Sequence, residues 1–162
     1  MLDFRQIIKE SAETKLRMLE VCMDDIEKAS ELMLDCVNNG NKILWCGNGG
    51  SAADAQHMSA ELMGGLRSHS RKPIPSIALS TDTSFITAWA NDTSYDEIFS
   101  RQIEGVGSPG DILIAISTSG NSTNVINALV SAESSEIKSI ILTGGTKGKM
   151  KEMGNVLISV PS

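Results

Sequence analysis

Five short, mostly apolar runs follow one another after Gly40: Ile43 to Cys46, Ile74 to Leu79, Ile112 to Ile116, Ile140 to Leu142 and Val156 to Val160. Each is bounded by Gly, Ser, Asn or Pro, and stretches with helical spacing separate them. A strand with one wet face alternates apolar and polar residues, whereas a strand apolar on consecutive positions is covered on both faces. Five such strands with helices between them predict a parallel sheet sandwiched between two helical layers. Right-handed crossovers then wind the chain into a doubly wound, three-layer α/β sandwich.

Ahead of the first run, between Leu2 and Val37, the residues Phe4, Ile7, Ile8, Ala12, Leu16, Leu19, Ile26, Ala29, Leu32, Met33 and Val37 recur mostly at three- and four-residue steps. That spacing predicts two helices, the second starting at Asp24-Asp25 and stopping at Asn38-Asn39-Gly40. Together they carry more apolar positions than covering a small sheet requires, so part of their surface is expected against another subunit. The length of 162 residues suits one domain with one core: a helical arm over about residues 1–40 and a sheet over about 41–162.

Charge narrows the partners. The formal net charge is −6, without a basic stripe or an aromatic-rich face, which argues against nucleic acid as a ligand. Met1 to Lys15 mixes both signs of charge and lacks the apolar stretch of a signal peptide. No run approaches the length of a membrane span, so a cytoplasmic protein is expected. Cys22, Cys36 and Cys46 lie in apolar surroundings with no metal-knuckle spacing, and read as reduced core thiols.

Two loops carry the chemistry. The first strand runs into Cys46-Gly47-Asn48-Gly49-Gly50-Ser51, followed by a helix over Ala52 to Leu66. Glycines let backbone amides approach an anion, and a helix N-terminus adds unpaired N–H groups. Gly47, Gly49 and Ala52 also satisfy GxGxxA, but a dinucleotide site needs an acid about 20 positions on to hold a ribose. The nearest, Asp82, comes roughly ten positions too late, which disfavours a nicotinamide or flavin site.

The third strand ends in Ser117-Thr118-Ser119-Gly120-Asn121-Ser122 before a helix over Asn124 to Glu133. A plain helix cap explains one of these hydroxyls easily and four poorly; a phosphate cradle explains them all. At the carboxyl edge of an open α/β sheet the two loops converge on one crevice.

On the helix after the first loop, Asp54, His57 and Glu61 are spaced to share one side near its start. His57 and Glu61 are a natural metal pair, and Glu61 alone could move a proton next to a carbonyl; a solvated helix face is the plain alternative. Asn91-Asp92 closes the helical stretch Phe85 to Ala90, where polar side chains can reach the same crevice. His69 reads as an exposed loop residue, and Trp45 and Trp89 as core.

The segments CGNGGSAADAQH, AELMGG, ALSTDTS, AND, DEIFSRQIE, GDILIAISTSGNS and SIILTGG, in order from about Asn41 to Ser162, resemble the bacterial phosphoheptose isomerases of the sugar isomerase (SIS) superfamily. The resemblance implies a flavodoxin-like SIS fold, a homotetramer, one zinc per subunit, and an aldose–ketose isomerase that turns sedoheptulose 7-phosphate into D-glycero-D-manno-heptose 7-phosphate for the heptose of surface glycans. It implies substrate contacts at Asn48, Gly49, Gly50, Asn91, Asp92, Ser117, Thr118, Ser119 and Ser122, with Ser51 in the same loop. It further implies zinc ligands at His57 and Glu61, with Glu61 also contacting substrate and transferring the proton.

In the family a helix past the fifth strand carries a Gln and a His that complete the metal site and supply the partner acid or base. The present sequence ends at Val160-Pro161-Ser162, so half the metal site and one proton-transfer group are expected within it. The competing reading is a non-catalytic SIS-fold binding protein resembling the replication initiator-associating protein. Such relatives vary these loops, whereas both are intact here.

Overall fold

The computed structural model describes residues 3–162; Met1 and Leu2, where the N-terminal reading begins, lie outside the described residues. Two helices come first, α1 (Phe4–Val21) and α2 (Met23–Asn38), hinged at Cys22. Asp24 and Asp25 stand in the first turn of α2, where carboxylates complement the exposed N–H groups. Alternating elements follow: β1 (Ile43–Gly47), α3 (Gly50–Gly64), β2 (Ser76–Ala78), α4 (Thr83–Asp92), α5 (Ile98–Val106), β3 (Ile112–Ile116), α6 (Thr123–Ser134), β4 (Lys138–Thr143) and β5 (Val156–Ser159). Short 3-10 turns at Tyr95–Glu97 and Gly148–Glu152 precede α5 and β5.

All five strands run parallel in the order β2-β1-β3-β4-β5, the doubly wound arrangement that the apolar runs predict. β2 is shorter than Ile74 to Leu79. Pro73 and Pro75 lack the N–H a ladder needs, so only Ser76–Ala78 pair with β1, while the Pro75 carbonyl accepts from the Ile43 N–H at 3.0 Å.

The two faces of the sheet bury different sets. Leu44, Cys46, Leu113, Ala115 and Ile141 meet α5 and α6 through Phe99, Ile103, Val125 and Leu129. Ile43, Trp45, Ile112, Ile114 and Ile140 face α2 and α3 through Ala29, Cys36 and Ala55. Trp45 is core as expected, and its indole N–H donates to Ser76 Oγ at 2.8 Å. Trp89 is only partly buried; it stacks on Phe85 with ring centroids 5.9 Å apart, and the Arg101 guanidinium lies 5.1 Å above it.

Two helices do not cover the second face fully. A groove of about 670 Å³ remains there, lined by Ile26, Met33, Trp45, Leu62, Ile114 and Leu142 among others. α1 buries none of its residues and exposes Phe4, Ile8, Leu16, Leu19 and Val21. This is the surplus apolar surface that the helical pattern implies.

At the amino edge of the sheet, β1 and β3 are tied by Asp111, whose side chain is 1% exposed. One carboxylate oxygen accepts from the Lys42 N–H at 2.9 Å; the other accepts from Lys42 Nζ at 2.6 Å and the Ser108 N–H at 2.8 Å. Removing one partner of a buried pair strands the rest without solvent. Asp111→Ala should therefore cost about 3–5 kcal/mol in urea unfolding, and a loss under about 1 kcal/mol would mean that the tie is no stronger than a surface pair.

Candidate active site

β1 and β3 are neighbours, and the chain leaves them toward opposite faces: β1 crosses through α3 to β2, β3 through α6 to β4. The loops after these strands therefore flank the point where the winding reverses, the place where an open α/β sheet leaves a crevice. Gly49 caps α3 with φ 57 and ψ −120, a conformation essentially confined to glycine. Gly120, at φ 64, lies so close to the 147–148 backbone that a Cβ would fall 2.0 Å from the Lys147 carbonyl oxygen.

The serine loop is braced from outside by the turn that follows β4. Met150 N–H donates to the Gly120 carbonyl at 3.1 Å, and Lys149 N–H to Asn121 Oδ1 at 3.1 Å. Ser117 Oγ, in a residue 4% exposed, lies 3.1 Å from Ser122 Oγ, and Ser119 Oγ accepts from Asn121 N–H at 3.2 Å. Thr118 and Ser119 are exposed. Ser122 occupies the N-cap position of α6, yet its side chain makes no capping bond. The N–H groups of Thr123 and Asn124 find no acceptor among the described residues. Hydroxyls and free amides thus gather at one helix start, as a phosphate cradle requires.

The two loops are joined directly. Asn48 Nδ2 donates to Asn124 Oδ1 and Asn124 Nδ2 donates to Asn48 Oδ1, each at 2.8 Å. Tyr95, in the turn after α4, donates its hydroxyl to the same Asn48 Oδ1 at 3.1 Å. Asn91 and Asp92, the last residues of α4, stand on this third segment, exposed and joined to each other at 2.8 Å. Asp82, the misplaced ribose candidate, caps α4 by accepting from Phe85 N–H at 3.0 Å, a structural use of its carboxylate.

Neither Tyr95 nor Asn124 stands out in the sequence. A single tyrosine in a polar turn and an asparagine in the first turn of a helix have ordinary local explanations, and only the fold sets them against Asn48.

His57 and Glu61 meet as their spacing requires, Nε2 to Oε1 at 3.3 Å. Their place on α3 differs from the expectation of a group near its start. Glu61 is in the final turn, where its carbonyl accepts the N–H of the capping Gly65. The neighbouring Leu62 carbonyl accepts from Ile74 N–H at 3.2 Å, just ahead of β2. Helix rise puts Glu61 about 16 Å along α3 from Gly50, toward the amino edge of the sheet and away from the serine loop. The cause is the crossover itself: a helix joining parallel strands must run back along them.

Arg71 holds this helix end by donating to the Glu61 and Leu62 carbonyls at 2.8 and 2.7 Å. His69 is exposed, its Nδ1 3.2 Å from the Gly64 carbonyl. Asp54 and His57 border the apolar groove. The His57–Glu61 pair supplies two of the four donors that zinc takes. No group of three or more potential ligands occurs among the described residues, so these residues alone do not build a zinc site. Burial pushes the Cys46 thiol, next to the first loop, up to about 12, which leaves it protonated and unsuited to act as a nucleophile.

Comparison with known proteins gives the family. The chain matches the SIS domain family over residues 6–144. It is 56% identical over 156 residues to a phosphoheptose isomerase of Shewanella sp. (strain ANA-3), covering 94% of this chain and 79% of that one. With the Shewanella frigidimarina phosphoheptose isomerase it shares 55% identity over 161 residues, 98% of this chain and 81% of the other. Among solved structures, phosphoheptose isomerase GmhA from Neisseria gonorrhoeae superposes with a TM-score of 0.89 at 42% identity, and a phosphoheptose isomerase from Francisella tularensis with 0.93 at 36%. Each covers 98% of this chain and 84% of its own. The crevice between the two loops, the sheet that opens it and these likenesses agree: the chain belongs to the phosphoheptose isomerases of the SIS domain family.

Proposed function

We propose that the crevice holds sedoheptulose 7-phosphate with its phosphate on the start of α6, and that the isomerisation is completed by Glu61 of a second copy of the chain. The enzyme is an aldose–ketose isomerase whose product is D-glycero-D-manno-heptose 7-phosphate, destined for the heptose of surface glycans. The observation that carries the phosphate end is the uncapped start of α6. Ser122 sits at the N-cap without capping, Ser117 and Ser119 stand beside it, and the Thr123 and Asn124 amides are free among the described residues. An anion with several acceptor oxygens satisfies all of these donors together.

The sugar then lies along the first loop, with Gly49, Gly50 and Ser51 presenting backbone to its hydroxyls and Asn91 and Asp92 closing the third side. Isomerisation needs a base that takes the proton from C1 of the ketose while O2 gains one, forming a 1,2-enediol, and that returns the proton to C2 as O1 gives up its own and the carbonyl moves to C1. A carboxylate such as Glu61 suits both transfers. Six carbon–carbon bonds at about 1.5 Å give a seven-carbon chain a reach of at most roughly 9 Å, less than the distance of about 16 Å along α3 from Gly50 to Glu61 in the same copy.

A second copy can deliver Glu61. The exposed apolar face of α1 favours self-association, and the homotetramer implied by the resemblance would bury it. Three unpaired, buried cysteines agree with a reducing cytoplasm, and among the described residues no helix is long and apolar enough to cross a membrane. His57 and Glu61 would form a two-donor arm for zinc, which when bound would polarise the oxygens at the carbonyl end of the sugar.

Three measurements check this reading. Ser119→Ala combined with Ser122→Ala should weaken sugar-phosphate binding at least ten-fold by calorimetry, about 1.4 kcal/mol, with little change in unfolding midpoint; unchanged affinity refutes the phosphate position. Glu61→Gln should bind substrate and turn over poorly. When the Glu61→Gln chain is refolded together with the Ser119→Ala, Ser122→Ala chain, roughly a quarter of the wild-type rate should return, the share of sites that random pairing leaves intact. A mixture no faster than its parents places Glu61 outside a shared site. Elemental analysis should find zinc in the purified protein and less of it in His57→Ala; equal content in both removes His57 as a ligand.

A further inference from the structure

Asn48 is where three separate segments of the chain meet. Its Oδ1 accepts from Asn124 Nδ2 at 2.8 Å and from the Tyr95 hydroxyl at 3.1 Å, which uses both lone pairs of that oxygen. Its Nδ2 donates to Asn124 Oδ1 at 2.8 Å, leaving one N–H. Asn48 belongs to the loop after β1, Asn124 to the first turn of α6 beyond the serine loop, and Tyr95 to the turn three residues beyond Asp92. These are the three segments that carry the crevice residues.

The burial of the three side chains sets their parts. Asn124 is 3% exposed, so its carboxamide must find partners inside the protein, and Asn48 provides one for each end. Tyr95 is 52% exposed; its ring is not core, and its one bond to the crevice is through the hydroxyl. The serine loop is also braced by the 149–150 backbone, and the Tyr95 turn by Asn127 Nδ2, which donates to the Asp96 carbonyl at 2.9 Å; among the described residues the Asn48 loop has no other hydrogen bond to either segment. A seven-carbon substrate that spans all three loops reacts only while they stay in register.

We infer that Asn124 and Tyr95 are positioning residues for the isomerase, and that Asn48 is the hub through which they lock the three loops together. Its side-chain oxygen is thereby withdrawn from direct contact with substrate. The clasp acts on the alignment of the sugar end, whereas the phosphate end is held by the serine loop on its own side of Asn124. The inference rests on the assignment of the crevice as the substrate site.

The test is a two-residue cycle in the enzyme. Tyr95→Phe removes one hydroxyl and no packing; it should lower kcat for sedoheptulose 7-phosphate about five-fold with KM and thermal midpoint unchanged, the mark of an interaction felt in the transition state. Asn124→Asp turns the buried donor into a carboxylate oxygen that faces Asn48 Oδ1, and should lower kcat about a hundred-fold. Adding Tyr95→Phe to Asn124→Asp should cost little more, because both act through Asn48.

Inorganic phosphate, a probe of the serine loop alone, should bind wild type and Tyr95→Phe with the same Kd. A wild type that fails to bind it counts against the phosphate position, while the kcat comparison still decides the clasp. Tyr95→Phe with wild-type kcat, a kcat loss matched by a fall in thermal midpoint, a parallel loss of phosphate affinity, or effects that multiply independently would each overturn the inference.

Discussion

β1 has β2 on one side and β3 on the other, and its continuation crosses one face of the sheet while that of β3 crosses the other. The reversal of winding between these two strands leaves their carboxyl ends without a helix packed across them, and the rest of the molecule is organised around that gap. Backbone must make tight turns and close approaches at its lip, which is why Gly49 adopts a conformation essentially confined to glycine and Gly120 leaves no room for a Cβ beside the Lys147 carbonyl. Two helix N-termini open into it, and the hydroxyls of Ser117, Ser119 and Ser122 collect at one of them. The proposed phosphate site is thus a consequence of topology, to which the side chains add donors but no cation.

The same two strands are fastened at both ends. At the amino edge the Asp111 carboxylate ties Lys42, ahead of β1, to the start of β3 through an ion pair and two backbone bonds. At the carboxyl edge the Asn48–Asn124 amide pair ties the loops that leave them. The chemistries differ with their tasks. A buried charge pair is strong and costly to break, which suits an anchor remote from substrate. A neutral amide pair places no net charge beside an anionic sugar phosphate, and its planar geometry fixes distance and orientation together.

The return path of α3 has the opposite consequence for catalysis. Because that helix runs back along the strands, the residues on its first turn reach the crevice and Glu61, on its last, does not. A folded chain therefore holds the proposed phosphate cradle at one edge and Glu61, the proposed proton carrier, at the other. The α1 helix, with no buried residue of its own, provides surface for the association that would bring one edge to the other.

The strand runs, the helical spacing before Gly40 and the glycine and serine clusters were enough to give the parallel sheet, the two leading helices and the two loops, because each is a local pattern of burial or backbone freedom written in consecutive residues. The i, i+4 contact of His57 with Glu61 is equally local and was equally legible. What the sequence could not supply were relations between distant segments. Asn48 and Asn124 are 76 residues apart, and nothing near either one marks its partner. Tyr95 is indistinguishable from any exposed turn tyrosine until the turn is set against β1. The shortening of β2 and the displacement of Glu61 toward the far edge depend on how the crossover closes, and only the packed sheet decides that: a spacing along one helix states which residues share a side, whereas distance from the site is measured across strands.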